Sequence, residues 1–239
     1  MVKSKLSEIP AFDDILQDGT FSNSGQIYTM DALHTQIDTL NAINDNNEYF
    51  LAKVKGNQKA LKDKIIFTIN LFHKPTSTYT SPLWQSEGNK YVTRTVDIFQ
   101  NLDSNIVMYH DKFKNIQTII RVTKETTDFK SGEVKTTTQY LIANFKDKTP
   151  QQFHDIILAH WRVETLHYHK DMLTCEDAHI CYVNPFAMTI VRSLVINLYQ
   201  LYFNKYKGTK IEDTFPTTMA NIKKLCHHDS EFASNIFEI

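Results

Sequence analysis

Residues 149–177 place a carboxylate where a packed helix should carry a hydrophobe. Pro150 follows Thr149 as a first-turn proline follows an N-cap, so the stretch reads as a helix start. Phe153, Ile156, Ile157, His160 and Trp161 recur at the spacing of one buried face. The same stripe continues through Glu164, then His167 or Tyr168, and Asp171. An unpaired charge on that face is costly, so Glu164 calls for a buried partner, a proton or a metal. The plainest of these is a Glu paired with a neighbouring His or Arg. Trp161 reads as core packing.

A di-iron reading is set aside. Glu164-Thr-Leu-His167 and Glu176-Asp-Ala-His179 are both E-x-x-H, but only 12 residues separate them and no four-helix pattern surrounds them. Cys226-His227-His228 has zinc-binding atoms without a second ligand pair at finger spacing. The three cysteines, Cys175, Cys181 and Cys226, form no framework and point to a reducing compartment.

The elements that must position Glu164 alternate. Residues 27–30 read as a strand that stops at Asp31, and Leu33, Ile37, Leu40 and Ile43 mark a helix. Residues 49–54 form a second strand ending in Lys55-Gly56-Asn57-Gln58, and Leu61, Ile65, Ile66 and Ile69 mark a second helix. This is a parallel βαβα unit, whose functional crevice lies at the carboxyl ends of the strands, where Asp31 and Lys55–Gln58 fall. From 75 to 147 the period changes to two. Residues 91–99, 116–122 and 134–142 alternate, the last two as a hairpin around Phe129-Lys130-Ser131-Gly132. A short helix is expected at 7–16, a very apolar one after Asn184-Pro185, and two short ones after 217.

Composition agrees with one sizeable core: 239 residues, 41% hydrophobic and 22% charged. No apolar run is expected to reach bilayer length, and no signal-peptide core is expected at the N-terminus. The net charge of −1 hides an asymmetry. Residues 1–50 carry 2 basic and 8 acidic side chains, 149–239 carry 8 and 10, and 51–148 carry 16 and 9, a local +7. A polyanion on one surface fits that pattern, as does a solvated lysine-rich face.

With Asp31 and Glu164 placed, the chain resembles insertion-sequence DDE transposases of the H-repeat-associated type. Tyr28-Thr29-Met30-Asp31-Ala32-Leu33-His34-Thr35-Gln36 is similar to their second-aspartate motif, and Lys55-Gly56-Asn57-Gln58 to their K-G-N-Q. His160-Trp161-Arg162-Val163-Glu164, then Leu166-His167-Tyr168 and Asp171, is similar to their H-W-x-[IV]-E-x-x-L-H-[WY]-x-x-D block. Glu176-Asp177, Asn184-Pro185, and Arg192 followed by Asn197-Leu198 continue the similarity over nearly the whole chain.

The resemblance implies an RNase H-like α/β fold in which three acids hold two Mg²⁺ or Mn²⁺ ions that act on a DNA phosphate. Asp31 would be the second acid and Glu164 the third, on one edge of the sheet. Lys53, Lys55, Asn57, Gln58, His160 and Arg94 would contact DNA, with His160 also able to orient Glu164.

Two departures accompany it. No D-G-K first aspartate is found, since Asp18-Gly19 lies only 13 residues before Asp31, and residues 2–9 resemble family sequence beyond the third strand. The Tyr/Arg/Lys signature is also not kept, with Asp171 seven residues after Glu164. The expectation is therefore a partial, inactive core, made of residues 1–74 and 148–206, an antiparallel β insertion at 75–147 and a helical tail at 207–239. The partners expected are duplex DNA at element ends and a second copy or full-length transposase, in the cytoplasm or nucleoid and off the membrane. The alternative is a non-catalytic DNA-binding remnant acting as repressor or partner.

Overall fold

The protein is described from a computed structural model covering residues 12, 14, 16, 25–72, 74–86, 90–100, 113, 115–175, 183–206 and 218–236. It divides into two compact units, Met1–His160 and Trp161–Ile239.

The first unit is α/β, built on one seven-stranded mixed sheet. Strand β1 (Ile27–Met30) lies parallel to β2 (Tyr49–Val54), joined by helix α1 (Ile37–Asp45). A short 3₁₀ turn (Gly56–Gln58) leads into α2 (Lys59–Phe72). Then come β3 (Ser77–Thr80), β4 (Trp84–Ser86), β5 (Lys90–Phe99), β6 (Thr118–Asp128) and β7 (Val134–Ala143). The order is β1-β2-β7-β6-β5-β3, with β4 also on β5. This is consistent with a partial RNase H-like α/β fold.

Strands β5 to β7 are antiparallel, as their period-two pattern requires, and they continue the same sheet, because β7 pairs with β2 from Leu51↔Ala143 to Val54↔Tyr140. Their distal halves run on past the carboxyl end of β2. Two short edge strands, β3 and β4, extend the sheet where no strand was expected. The expected helix from Leu33 starts only at Ile37, since Leu33 and His34 belong to a turn capped by Asp31.

Both faces of the sheet are covered. Phe50, Ala52, Phe99 and Ile142 meet Leu40 and Ile43 of α1 and Leu61 and Ile65 of α2. On the other face Leu51, Ile98, Ile120 and Leu141 meet Phe153, Ile156 and Ile157 at the start of helix α3 (Pro150–Thr174). Two polar devices hold the sheet. Asn144 is buried and accepts from the Phe50 backbone N–H (2.8 Å) while donating to Asn44 Oδ1 and the Glu48 carbonyl. Arg121 donates from Nε and an NH₂ group to Asp97 Oδ2, and Thr78 donates to Asp97 Oδ1. Both Asp97 carboxylate oxygens thus have donors, which offsets the desolvation of that buried acid.

The second unit holds the rest of α3, then α4 (Pro185–Tyr206), α5 (Met219–His228) and α6 (Ser230–Asn235). Tyr202 of α4, Ile222 of α5 and Ile236 form its buried cluster. Thr218 caps α5, and Asp229 caps α6 through Glu231 and Phe232.

The expectation that no segment reaches bilayer length is corrected at α4. Pro185–Lys205 is long and apolar enough by length and composition, at mean hydropathy 1.2. Thr189, Ser193, Asn197 and Gln200 break every consecutive run, which hid the average. Trp161 is corrected too: it is 40% exposed, because the apolar stripe laid on the sheet ends at His160.

Candidate functional site at the carboxyl ends of the parallel strands

Asp31 leaves β1 at the carboxyl end and is exposed. Its Oδ1 accepts from the backbone N–H groups of Leu33 (2.9 Å) and His34 (3.2 Å), an Asx turn that fixes the carboxylate on its own backbone. Oδ2 makes no hydrogen bond among the described residues.

The turn that Asp31 opens has each of its carbonyls occupied. Thr35 is fully buried, and its hydroxyl lies 2.9 Å from the Asp31 carbonyl and 2.7 Å from that of Lys53, sharing one proton between two strand ends. Asn57 Nδ2 donates to the Ala32 carbonyl (2.5 Å) and Gln58 Nε2 to the Thr35 carbonyl (2.8 Å). Gln36 takes the remaining two, the Leu33 carbonyl with its side chain and the His34 carbonyl with its backbone N–H. Buried or tightly turned carbonyls need such partners, and here two of the five, those of Ala32 and Thr35, are supplied by the second strand's exit loop.

Helix α3 reaches the same strand. His160 Nδ1 lies 3.0 Å from Thr29 Oγ1, two residues before Asp31. Glu164 follows four residues later on α3, in the second unit, and its side chain lies outside the described residues, as do those of Arg162, Val163 and His167. Asp18-Gly19, residues 2–9, Glu176 to His179 and Cys181 also lie outside them, and of the helix expected at 7–16 only Phe12, Asp14 and Leu16 are described.

The other sequence candidates are placed as follows. Lys55 is exposed beside the Asp31 turn, and Lys53 is half-buried on β2 with its carbonyl held by Thr35. Arg94 lies on β5, half-buried, where burial pulls its guanidinium pKa down. The register puts Lys90, Arg94, Lys124 and Lys135 on the strand halves that project beyond the carboxyl end of β2, the end where Asp31 sits. Lys130 is exposed at the hairpin tip. Thr35, Gln36 and Asn144 were not singled out by sequence reading. Thr35 and Gln36 stood within the quoted motif, but a buried hydroxyl and a local amide bond leave no periodic trace.

The donor chemistry suits a hard cation in part. Asp31 offers an exposed carboxylate oxygen of fixed orientation, and Mg²⁺ retains most of its waters and needs few protein ligands. No group of three or more His, Cys, Asp or Glu gathers among the described residues.

The chain is similar to a transposase. A protein of Escherichia coli O157:H7 named "Putative transposase YncI" is 27% identical over 183 residues, covering 74% of this chain and 45% of that protein. The chain thus spans about half the length of the curated relative it matches. No family model matches it.

Proposed function

We propose that this chain carries part of the active site of a DDE-type transposase of the H-repeat-associated kind, with Asp31 and Glu164 as two of its acids and duplex DNA as its partner. The observation that carries the reading is the Asp31 turn: an exposed carboxylate at the carboxyl end of a parallel strand, pinned by Leu33 and His34. The similarity to a transposase supports it from outside the structure.

A divalent ion at these carboxylates would activate the attacking oxygen and neutralise charge on the DNA phosphate. The chain's own residues orient and exclude. Asp31 presents its carboxylate from a rigid turn, His160 ties α3 to the Asp31 strand, and Lys55 stands ready for a phosphate at the neighbouring strand end. The lysines on the projecting halves of β5 to β7 extend a basic surface from that end, over which a duplex would track.

The test is Mn²⁺ binding to the full chain, followed by water-proton relaxation. Asp31→Asn and Glu164→Gln should each weaken it at least tenfold, as loss of a charged oxygen ligand predicts. Equal binding by wild type and both variants would overturn the assignment. DNA binding should fall steeply between about 50 and 200 mM salt, as release of condensed counterions requires.

A further inference from the structure

We infer that Asn57, Gln58 and Thr35 are positioning residues for the Asp31 carboxylate, bracing its turn from the exit of the neighbouring strand. The inference rests on the reading of Asp31 as a cation ligand and goes beyond it by giving three residues of two motifs one joint task.

The carbonyl count carries it. From Asp31 to Thr35 five successive carbonyls each have a donor, and three of those bonds come from side chains of Thr35, Asn57 and Gln58. Asn57 and Gln58 begin no long helix face and pack in no core, for Asn57 is exposed and Gln58 half-buried. What they share is the turn. Their amide nitrogens reach back 25 and 23 residues to its two ends, Ala32 and Thr35. Thr35 closes the brace from below, tying the Asp31 and Lys53 carbonyls at the ends of β1 and β2.

The chemistry explains why amides serve here. A lysine or arginine could donate to the same carbonyls, but its charge would repel a cation a few ångströms away and compete for the carboxylate. A neutral amide donates without doing either. The 3₁₀ turn at Gly56–Gln58, with Gln58 N–H on the Lys55 carbonyl, sets Asn57 and Gln58 side by side for the purpose.

Two readouts on the full chain test this. The first needs no metal: amide hydrogen exchange at Leu33 and His34, the two N–H groups that hold Asp31. Asn57→Ala and Gln58→Met remove the donors without adding charge, and each should speed exchange about fivefold to tenfold, the scale of one lost hydrogen bond. The second is Mn²⁺ broadening of the same two amide signals, whose midpoint should move to higher Mn²⁺ by a similar factor. Unchanged exchange in both variants would overturn the brace. Faster exchange with an unmoved Mn²⁺ midpoint would overturn its role in positioning. Asp31→Asn separates this from failure of the cation reading: Mn²⁺ broadening that persists in that variant sinks the ligand assignment, while the metal-free exchange data still judge the brace.

Discussion

Two aspartates in this molecule build the same local device. Asp31 accepts from the N–H groups two and three residues on, Leu33 and His34, and Asp128 does so with Lys130 and Ser131. Asp128 sits at the tip of the β6–β7 hairpin, closed by Gly132 N–H on its own carbonyl and by Gly132 at φ +69°, a conformation that favours glycine. No hydrogen bond from another strand reaches that carboxylate among the described residues; only the charge of Lys90, opposite it on β5, acts on it. The Asp31 turn is held besides by Thr35, Asn57 and Gln58, which belong to a loop over twenty residues away or bridge to it. The local turn is easily encoded and common. What distinguishes Asp31 is the tertiary bracing of the turn it opens, and that is the difference between a surface turn and a place where a carboxylate must not move.

The largest way to break the contrast is Thr35→Val. It keeps the shape and leaves the part-buried Asp31 and Lys53 carbonyls without the Thr35 hydroxyl, so urea unfolding should show a loss of about 1–2 kcal/mol. Thr136→Val, on an exposed position of β7, should stay within about 0.5 kcal/mol and serves as its counterpart. A double-mutant cycle of Thr35→Val with Gln58→Met sharpens the result. Gln58 donates to the carbonyl of Thr35 itself, so the two losses should fail to add by about 0.5–1 kcal/mol. Strict additivity would mean that the brace is two separate bonds.

Exchanging the acid for its amide probes the carboxylate alone. Asn accepts through its side-chain oxygen as Asp does, so Asp31→Asn should change stability by less than about 0.5 kcal/mol while removing the charge. A large destabilisation would show that the charge, and not the turn, is what the fold uses.

The smallest effect is at Asp128, whose carboxyl pKa is lowered by the Ser131 and Lys130 backbone N–H groups, with Ser131 Oγ and nearby Lys90 adding to it. A depressed folded-state value contributes stability above the unfolded-state value and loses it as pH falls through the folded one. The Lys130 and Ser131 amide signals should therefore shift toward their open-chain positions in acid, below the usual carboxylate range. A hairpin tip indifferent to acid would show that Gly132 alone closes it.

The sheet was legible because its strands are periodic. β1, β2, β5 and β7 lie within a residue of their expected bounds, β6 runs six residues past its expected end at 122, and Pro150 marked the start of α3 correctly. β3 and β4 were missed, since four and three residues of mixed Ser, Thr, Tyr, Trp and Gln do not establish a period. Leu33 was drawn into the first helix because it stands four residues before Ile37, while the Asp31 carboxylate on its N–H and the Gln36 amide on its carbonyl keep it in a turn. The candidate site was legible as motif and not as structure. Asn57 and Gln58 were read as groups facing outward to DNA, while the donors they hold inward depend on which loops the sheet brings side by side.

The pairing of β2 sets a schedule for the nascent chain. One edge of β2 meets β1 early, but its other edge waits for β7, with Leu51 opposite Ala143 and Phe50 N–H on Asn144 across 94 residues of sequence. Until the ribosome has delivered that last strand, the main-chain groups of β2 stand open beside an apolar face, and long-range closure of this kind is slow. Asn144 is the residue that ends the wait: it locks β2, α1 and the end of β7 in one step. Mispairing of β2 with another strand is therefore most favoured before β7 has been made.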